Sequence, residues 1–295
     1  NDKFFISELY LNKFEEILFH LNFNNLPRFW NFHKFYGYSK PNERLRGKIV
    51  NKILSPKKNN LENFLIKNLF LYIPLAYLED YKKIKKFCHR VYPKDPKTII
   101  TANTFYYNEA IKNYISQHIN NSKYIVIQHG NNYGTSVHTI DNPEQIACDK
   151  FYSWGWKDNK KVFKGANYQI KKNKRIYYTD DYYLYLDAKL DLDFAFNNNE
   201  TWEKYIQSNL NFLDNLENKN KLKIIPHPYY SNKSDLSDYR ELLKYKDFFS
   251  TSNYNKNPKL AIYGYESTGF LNRIAYNMPT ISFFNFKKSN LRKNA

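Results

Sequence analysis

Short apolar segments alternate with helical patterns along most of this chain, and this alternation constrains its fold more than any other feature. Residues 98–101 and 124–128 are apolar runs typical of buried strands, and residues 149–154 predict a third strand. The segment 108–119 carries its apolar side chains at helical spacing. Buried strands separated by a single helix pair in parallel, so the sequence predicts an α/β fold.

The second half of the chain repeats this order of elements. Extended structure is predicted at 184–196, strands at 222–226, 260–263 and 280–284, and helices at 201–216 and 270–276. The apolar spacing of residues 1–90 predicts a mostly helical segment with a loop near 36–46. Because 295 residues are enough for two domains, we expect two α/β domains, at 1–155 and 156–295.

The chain has a formal net charge of +18, carried mostly by lysine. Lys, Asn, Tyr, Phe and Ile are abundant together and share A/T-rich codons, so base composition alone accounts for much of this charge. The part of the positive charge that has a function would attract an anionic membrane or phosphate-bearing substrates. The sequence has no helix-turn-helix, RNP-like strand or zinc finger, so nucleic acid is not expected as a partner.

Three polar clusters fall where predicted strands end, which is where ligands bind in open α/β sheets. The first cluster is the loop Gln128, His129, Gly130, Asn131, Asn132, Tyr133 and Gly134. Its glycines allow tight turns and close approach of the backbone to a ligand. His129 is a candidate general base or a hydrogen-bond donor to a phosphate, and a structural loop histidine is the alternative.

The other two clusters lie in the second half of the chain. They are His227-Pro228 and the run Glu266, Ser267, Thr268 and Gly269. Pro228 fixes where His227 points, and hydroxyl residues at a helix start cap the helix beside N–H groups that bind anions. Glu266 is a good acceptor for ribose hydroxyls. Each cluster alone also fits a structural cap, but together they indicate a site for a phosphate-containing donor.

Other common signatures are missing or have simpler explanations. The sequence contains no GxGxxG, GxxxxGK[ST] or GxSxG motif. Acidic residues at 180–181 and at Asp187, Asp191 and Asp193 could suggest a metal, but a solvated strand or turn is the preferred interpretation. Two cysteines, Cys88 and Cys148, exclude a disulfide scaffold. We therefore expect neither a metal nor a cofactor.

The motifs and their order resemble those of a bacterial transferase family with a QHGGNYG motif, found in surface-polysaccharide and lipopolysaccharide loci. The resemblance rests on the segments 128–134, 149–156, 266–271 and 277–284 and on Leu291-Arg292. More distantly, the layout is similar to GT-B transferases that use cytidine-activated donors. These include capsule Kdo transferases and the CDP-glycerol glycerophosphotransferases.

This resemblance implies a GT-B-like fold, in which two Rossmann-like domains face a cleft and the N-terminal part is helical. Residues 1–155 would form the acceptor-side domain, and residues 156–295 the nucleotide-donor domain. The donor would contact His227, Pro228, Glu266, Ser267, Thr268 and Gly269. His129 would act as base toward the acceptor hydroxyl, with Glu144 and Asp149 as alternative carboxylates. The rest of the 128–134 loop would lie near the reacting centre.

Two positions depart from the family's pattern. Asn131 replaces its second glycine, and Asn272 stands where a glutamate that often binds ribose is common. Glu266 would then have to bind the ribose instead. These departures concern the identity of the donor more than the fold.

The implied reaction moves a sugar from a nucleotide-activated donor to a surface-glycan or lipid-linked acceptor. The best candidate donor is a CMP-activated ulosonic acid such as Kdo. The nucleotide sugar is a co-substrate, and the enzyme is expected at the cytoplasmic face of the bacterial inner membrane. Two alternatives stay open: alcohol-phosphate transfer from a CDP-polyol, and a nucleotide- or glycan-binding protein whose catalytic site has decayed.

Overall fold

The computed structural model describes residues 3–30, 33–54, 59–131, 133–135, 142–170, 177–188, 199–230, 236–250 and 257–283. The chain divides into two units. The first contains residues 1–129 and 141–167, and the second contains residues 130–140 and 168–295. Each unit carries a parallel sheet, so the predicted α/β class is confirmed.

The first unit is built on a five-stranded parallel sheet. Its strands are β1 (Phe4–Ser7), β2 (Thr98–Thr101), β3 (Lys123–Ile127), β4 (Lys150–Ser153) and β5 (Val162–Lys164). Each strand pairs with the next one along the chain. Because all five run the same way, the loops after the strands meet at one edge of the sheet.

The first 90 residues are mostly helical, as expected, but they also contain β1, a strand that the sequence did not predict. Phe5 and Ile6 of this strand are fully buried. The ring of Phe5 packs on Trp30, Tyr92 and Tyr114, with centroid separations of 5.8, 5.1 and 4.7 Å. This aromatic cluster holds a short strand that pairs, among the described strands, with β2 alone.

The remaining elements of the first unit are helices. They are α1 (Lys13–Asn22), α2 (Glu43–Ile53), α3 (Asn60–Tyr72), α4 (Tyr81–Val91), α5 (Thr104–Tyr107), α6 (Glu109–His118) and α7 (Pro143–Ala147), with a 3₁₀ turn at Leu75–Tyr77. α6 agrees with the predicted helix and is capped by Asn108. α2 begins inside the predicted loop, where the Asn42 side chain accepts a hydrogen bond from the Leu45 N–H (2.9 Å).

The second unit has a four-stranded parallel sheet in the order β7-β6-β8-β9. Its elements are β6 (Tyr182–Tyr185), α8 (Asn199–Asn215), β7 (Leu222–Ile225), 3₁₀ segments at Pro228–Tyr230 and Ser237–Phe248, β8 (Leu260–Tyr263), α9 (Thr268–Ala275) and β9 (Thr280–Ser282). The predicted strands and helices are therefore present, with ends that differ by a few residues. β6 coincides with the start of the predicted extended segment, and residues 189–196 lie outside the described part.

The core of the second unit is apolar and lies between the sheet and its covering helices. Leu184, Ile224 and Ile262 from three strands pack with Leu213 of α8 and Leu242 of the 3₁₀ segment. Among the residues that the structure describes, no helix is both long and apolar enough to cross a bilayer.

Candidate functional site

The strand order of the second sheet indicates where this unit binds a ligand. The chain passes from β6 outward to β7 and then returns to the other side of β6 to form β8. Such a reversal leaves a crevice outside the carboxyl ends of the two central strands. Asp187 follows β6 and residues 264–267 follow β8, so both segments lie at this switch point. The described strands of the first sheet follow in sequence order and show no such reversal.

Asp187 is fixed at the switch point through its backbone. Its N–H donates to the Tyr205 hydroxyl (2.8 Å), and its carbonyl accepts a hydrogen bond from the Tyr239 hydroxyl. The Asp187 carboxylate also accepts from the Ala188 N–H (2.9 Å). Burial chiefly raises the pKa of Tyr205 and of Tyr239, and the negative charge of Asp187 adds to the effect. These phenols therefore stay protonated at neutral pH.

The hydroxyl pair at the start of α9 is already engaged within the unit. The Ser267 hydroxyl accepts from the Phe270 N–H (3.0 Å) and caps the helix. The Thr268 hydroxyl accepts from the Asn131 N–H (2.9 Å). A hydroxyl that accepts one hydrogen bond can still donate its own proton, so Thr268 retains a donor for a ligand while anchoring the loop that begins at Gly130.

That loop comes close to α9 at Gly130. A Cβ on Gly130 would lie 3.2 Å from the Thr268 Oγ1, so a side chain there would press on the anchoring hydroxyl. Gly134 has a φ of +78°, which an L side chain rarely adopts. Tyr133 is buried, and the predicted site residue Asn132 lies outside the described residues. The structure thus brings Gly130 and Asn131 to Thr268.

Two titratable groups beside the switch point lie in water-poor surroundings. Burial lowers the pKa of His227 and raises the pKa of Glu266. His227 follows β7, the neighbour of β6, and its carbonyl accepts from the Tyr230 N–H (2.9 Å) in the turn that starts at Pro228. Burial therefore favours the uncharged form of His227, which carries one ring N–H. Interactions with a charged ligand are stronger here than in water.

Arg273 locks α9 onto the two central strands. Its guanidinium donates to the hydroxyls of Tyr263 (3.1 Å) and Tyr185 (2.5 Å), the last residues of β8 and β6. The two phenol rings stack with their centroids 4.8 Å apart. Gly269 allows this approach, because a Cβ there would lie 3.1 Å from the Tyr263 hydroxyl. The N-terminus of α9 is thereby held at a fixed place above the strand ends.

In the first unit, His129 lies at the carboxyl end of β3 in a constrained setting. Its ring stacks on Tyr10, with a centroid separation of 5.4 Å and an angle of 11°. Burial lowers the pKa of His129 to about 4, although a hydrogen bond to the Ala102 backbone opposes the shift. Glu8 and Tyr10 have φ values of +54° and +60°. Left-handed backbone at non-glycine residues is costly and often marks a functional segment.

The other predicted residues of the first unit occupy three different settings. The Gln128 Oε1 accepts from the N–H of Trp154 and the Nε1 of Trp156, both at 2.8 Å, so it orders the loop after β4. Glu144 is fully buried on α7, and its charge adds to the raised pKa of Tyr10.

Asp149 lies at the opposite edge of the same sheet. It precedes β4, and its carboxylate accepts from the Tyr124 N–H (2.8 Å) near the amino end of β3. The structure therefore does not bring Asp149 together with His129, which follows the carboxyl end of β3.

The sequence as a whole matches one family, the LIC12162 family transferase, over residues 1–295. The chain belongs to this family. It is therefore an enzyme of the transferase class, as its motifs predict. No curated protein is a significant match.

Three residues that follow strands in this transferase were not predicted as site residues. Glu8 and Tyr10 follow β1, a strand that was not predicted. Asp187 was interpreted as part of a solvated face, whereas it follows a central strand of the second sheet and is partly buried. A carboxylate directly after the buried run 183–186 was the one available signal. Asp191 and Asp193 lie outside the described residues.

The transferase also has a basic cavity in the first unit that the motifs do not indicate. It measures about 430 Å³ and is lined by Lys34, Phe35, Tyr36, Gly37, Lys83, Lys86, Phe87 and Arg90. Four of these side chains are cationic and none is acidic. The described residues contain no group of three or more His, Cys, Asp or Glu side chains able to hold a metal ion.

Proposed function

We propose that this transferase moves a sugar from a nucleotide-activated donor bound at the switch point of its second unit. The observation that carries this proposal is the strand order β7-β6-β8, which puts the segments with Asp187, Glu266 and Thr268 after the two central strands β6 and β8. Crevices of this kind bind nucleotides in open α/β sheets. We further propose a GT-B-like enzyme, with the second unit on the donor side and the first unit on the acceptor side.

Each donor-side residue has a role that its surroundings support. The donor phosphate would accept hydrogen bonds from the Thr268 hydroxyl, from the ring N–H of neutral His227 and from N–H groups at the start of α9. Glu266 and Asp187 would accept hydrogen bonds from the ribose hydroxyls. Preorganised donors at the phosphate would stabilise the charge that develops as the nucleotide leaves.

His129 would serve the acceptor. Because its pKa is about 4, the ring is neutral at pH 7. A neutral imidazole that donates from one ring nitrogen has an acceptor at the other, and that nitrogen would take the proton of an acceptor hydroxyl. Stacking on Tyr10 fixes the ring plane. Glu144 would be the alternative carboxylate in this role.

A CMP-activated ulosonic acid such as Kdo is the donor that the motifs favour, and a surface-glycan or lipid-linked glycan is the acceptor. The experiment that tests the proposal is isothermal titration of the full chain with CMP, CDP, UDP, GDP and ADP. A ligand at 100 times its Kd should also add about 2.7 kcal/mol of stability. Selective binding of CMP or CDP is the expected result.

Two variants test whether the nucleotide binds at the switch point, and one matched control tests for nonspecific effects of removing a carboxylate. Asp187→Asn and Glu266→Gln should weaken nucleotide binding, whereas Asp214→Asn should not. Asp214 lies in the same unit, in an exposed ion pair with Lys244 (2.8 Å). Equal effects of all three variants, or no binding of any nucleotide, would overturn the donor assignment.

Turnover separates the proposed reaction from its alternatives. Release of free CMP from a CMP-sugar, lost in His129→Ala with nucleotide binding intact, is the expected outcome. Release of CMP from a CDP-polyol would assign alcohol-phosphate transfer instead. Nucleotide binding without turnover of any donor would identify a binding protein with a decayed site.

A further inference from the structure

The third helix of the first unit turns its apolar side outward. Six large apolar side chains of α3 are between 56% and 81% exposed: Leu61, Phe64, Leu65, Leu69, Leu71 and Tyr72. They share one face at the spacing of helical turns. On the other face, Ile66 and Phe70 are partly covered. No residue of α3 is fully buried, so the usual orientation of an amphipathic helix is reversed here.

This helix is held in place without burying its apolar face. Its first turn has a capping box, in which Asn59 and Glu62 exchange hydrogen bonds of 2.9 and 2.8 Å. Its last turn is held by buried Arg46 of α2, which donates to the carbonyls of Phe70 and Leu71, both at 2.8 Å. The exposed stripe is therefore a formed and positioned surface.

The surrounding sequence is strongly cationic. Between Lys40 and Lys94 there are 14 lysines and arginines but only four aspartates and glutamates, a net charge of +10 out of the +18 of the whole chain. Arg44, Lys48 and Lys52 are exposed on α2, which packs against α3. The apolar stripe therefore lies in a strongly basic segment, and three exposed basic side chains lie on the helix that packs against α3.

We propose that α3, with the exposed basic side chains of α2, docks in the plane of an anionic lipid bilayer. A helix of 13 residues is about 20 Å long, too short to span a hydrocarbon core of about 30 Å. Helices that lie in the membrane interface bury an apolar face in the lipid and have cationic side chains beside it. This surface shares no residue with the proposed donor and acceptor sites, and the inference does not depend on them.

The charge selects a membrane over a second copy of the chain. Two copies meeting through α3 would bring two segments of net charge +10 together, and like charges that meet at an interface repel. The same charge is attracted to phosphatidylglycerol headgroups. Leu61, Leu65 and Tyr72 form the middle of the stripe, which holds no charged side chain.

Flotation of the full chain with lipid vesicles tests the inference. We expect binding to vesicles of phosphatidylcholine mixed with phosphatidylglycerol, little binding to phosphatidylcholine alone, and loss of binding at high salt. The double variant Leu65→Gln/Leu69→Gln should reduce binding at least about tenfold. Replacing Arg44, Lys48 and Lys52 by Gln should reduce it about fivefold per residue.

The matched control is Leu21→Gln/Leu26→Gln, which removes two exposed leucines of the same unit outside α3. It should leave vesicle binding unchanged. Circular dichroism and light scattering of every variant check folding and oligomeric state. Absence of binding to anionic vesicles, equal losses in the two leucine pairs, or a dimer that dissociates in Leu65→Gln/Leu69→Gln would each overturn the proposal.

Discussion

Arg46 joins α2 to the end of α3, and its replacement should loosen that end. The guanidinium donates to both oxygens of Glu79 (2.7 and 2.8 Å) and to the carbonyls of Phe70, Leu71 and Ile73 (2.8, 2.8 and 2.9 Å). The side chains of Arg46 and Glu79 are only 6% and 5% exposed. The hydrogen bonds to Arg46 lower the pKa of Glu79 to about 2.

The variant Arg46→Met removes these five hydrogen bonds and leaves the Glu79 carboxylate buried without its cation. Loss of one partner from a buried ion pair costs about 3–5 kcal/mol. We expect the free energy of unfolding, measured by urea titration, to fall by about that amount. Hydrogen-exchange mass spectrometry should show faster exchange in the last turns of α3.

Two further variants separate the causes. Arg44→Met changes an exposed arginine of the same helix and should cost no more than about 1 kcal/mol. Arg46→Met/Glu79→Leu should recover most of the stability, because no charge is left unpaired. It should not restore the protection of α3, whose carbonyls still lack their donor. A loss below about 1 kcal/mol for Arg46→Met, or unchanged exchange in α3, would refute this reasoning.

Three other predictions concern single residues. The pKa of Glu79 is lower in the folded protein than its ordinary 4.5, so the stability it supplies should be lost as the pH falls from 4.5 to about 2. An acid titration of Glu79→Gln should lack that limb, and superimposable curves would contradict it. Thr268→Val should cost about 1 kcal/mol and speed hydrogen exchange in residues 130–135, whereas Thr268→Ser should behave like the wild type. Burial raises the pKa of Cys88 and of Cys148 to about 12, so neither thiol should react with Ellman's reagent before unfolding, and a fast native reaction would count against the burial.

The α/β class was predictable because most of the buried strands are apolar runs that alternate with helical patterns in the sequence. For β2 and β3, the local sequence alone is enough to predict a strand. β1 could not be predicted in this way, because its four residues pair with β2, the one partner among the described strands, which lies far along the chain. This short strand is stabilised by pairing with that distant partner and by the packing of Phe5 on Trp30 and Tyr92. Local periodicity carries no information about either contact.

The residues of the candidate site also fall into two groups: those that local sequence features predict and those that depend on the folded sheet. The positions of His227 after β7 and of the run 266–269 after β8 were predictable, since turns after apolar strands are local features of the sequence. Asp187 was not, because its importance comes from the position of β6 between β7 and β8. Strand order is a property of the folded sheet, and an apolar run looks the same at the centre as at the edge. Tyr10 meets His129 only because β1 was added to the sheet.

For α3, the sequence pattern predicts the helix but not which of its faces is covered in the folded protein. The spacing of Leu61, Leu65 and Leu69 correctly predicts a helix, but periodicity reports only that an apolar face exists. Which side becomes covered depends on the anchors, and here Arg46 and the 59–62 capping box fix the helix by polar contacts. An apolar stripe held outward by hydrogen bonds, in a segment of net charge +10, favours a partner that offers both hydrocarbon and negative charge. More than half of the net positive charge of the chain therefore lies in the segment that carries α3, and this charge would attract an anionic membrane.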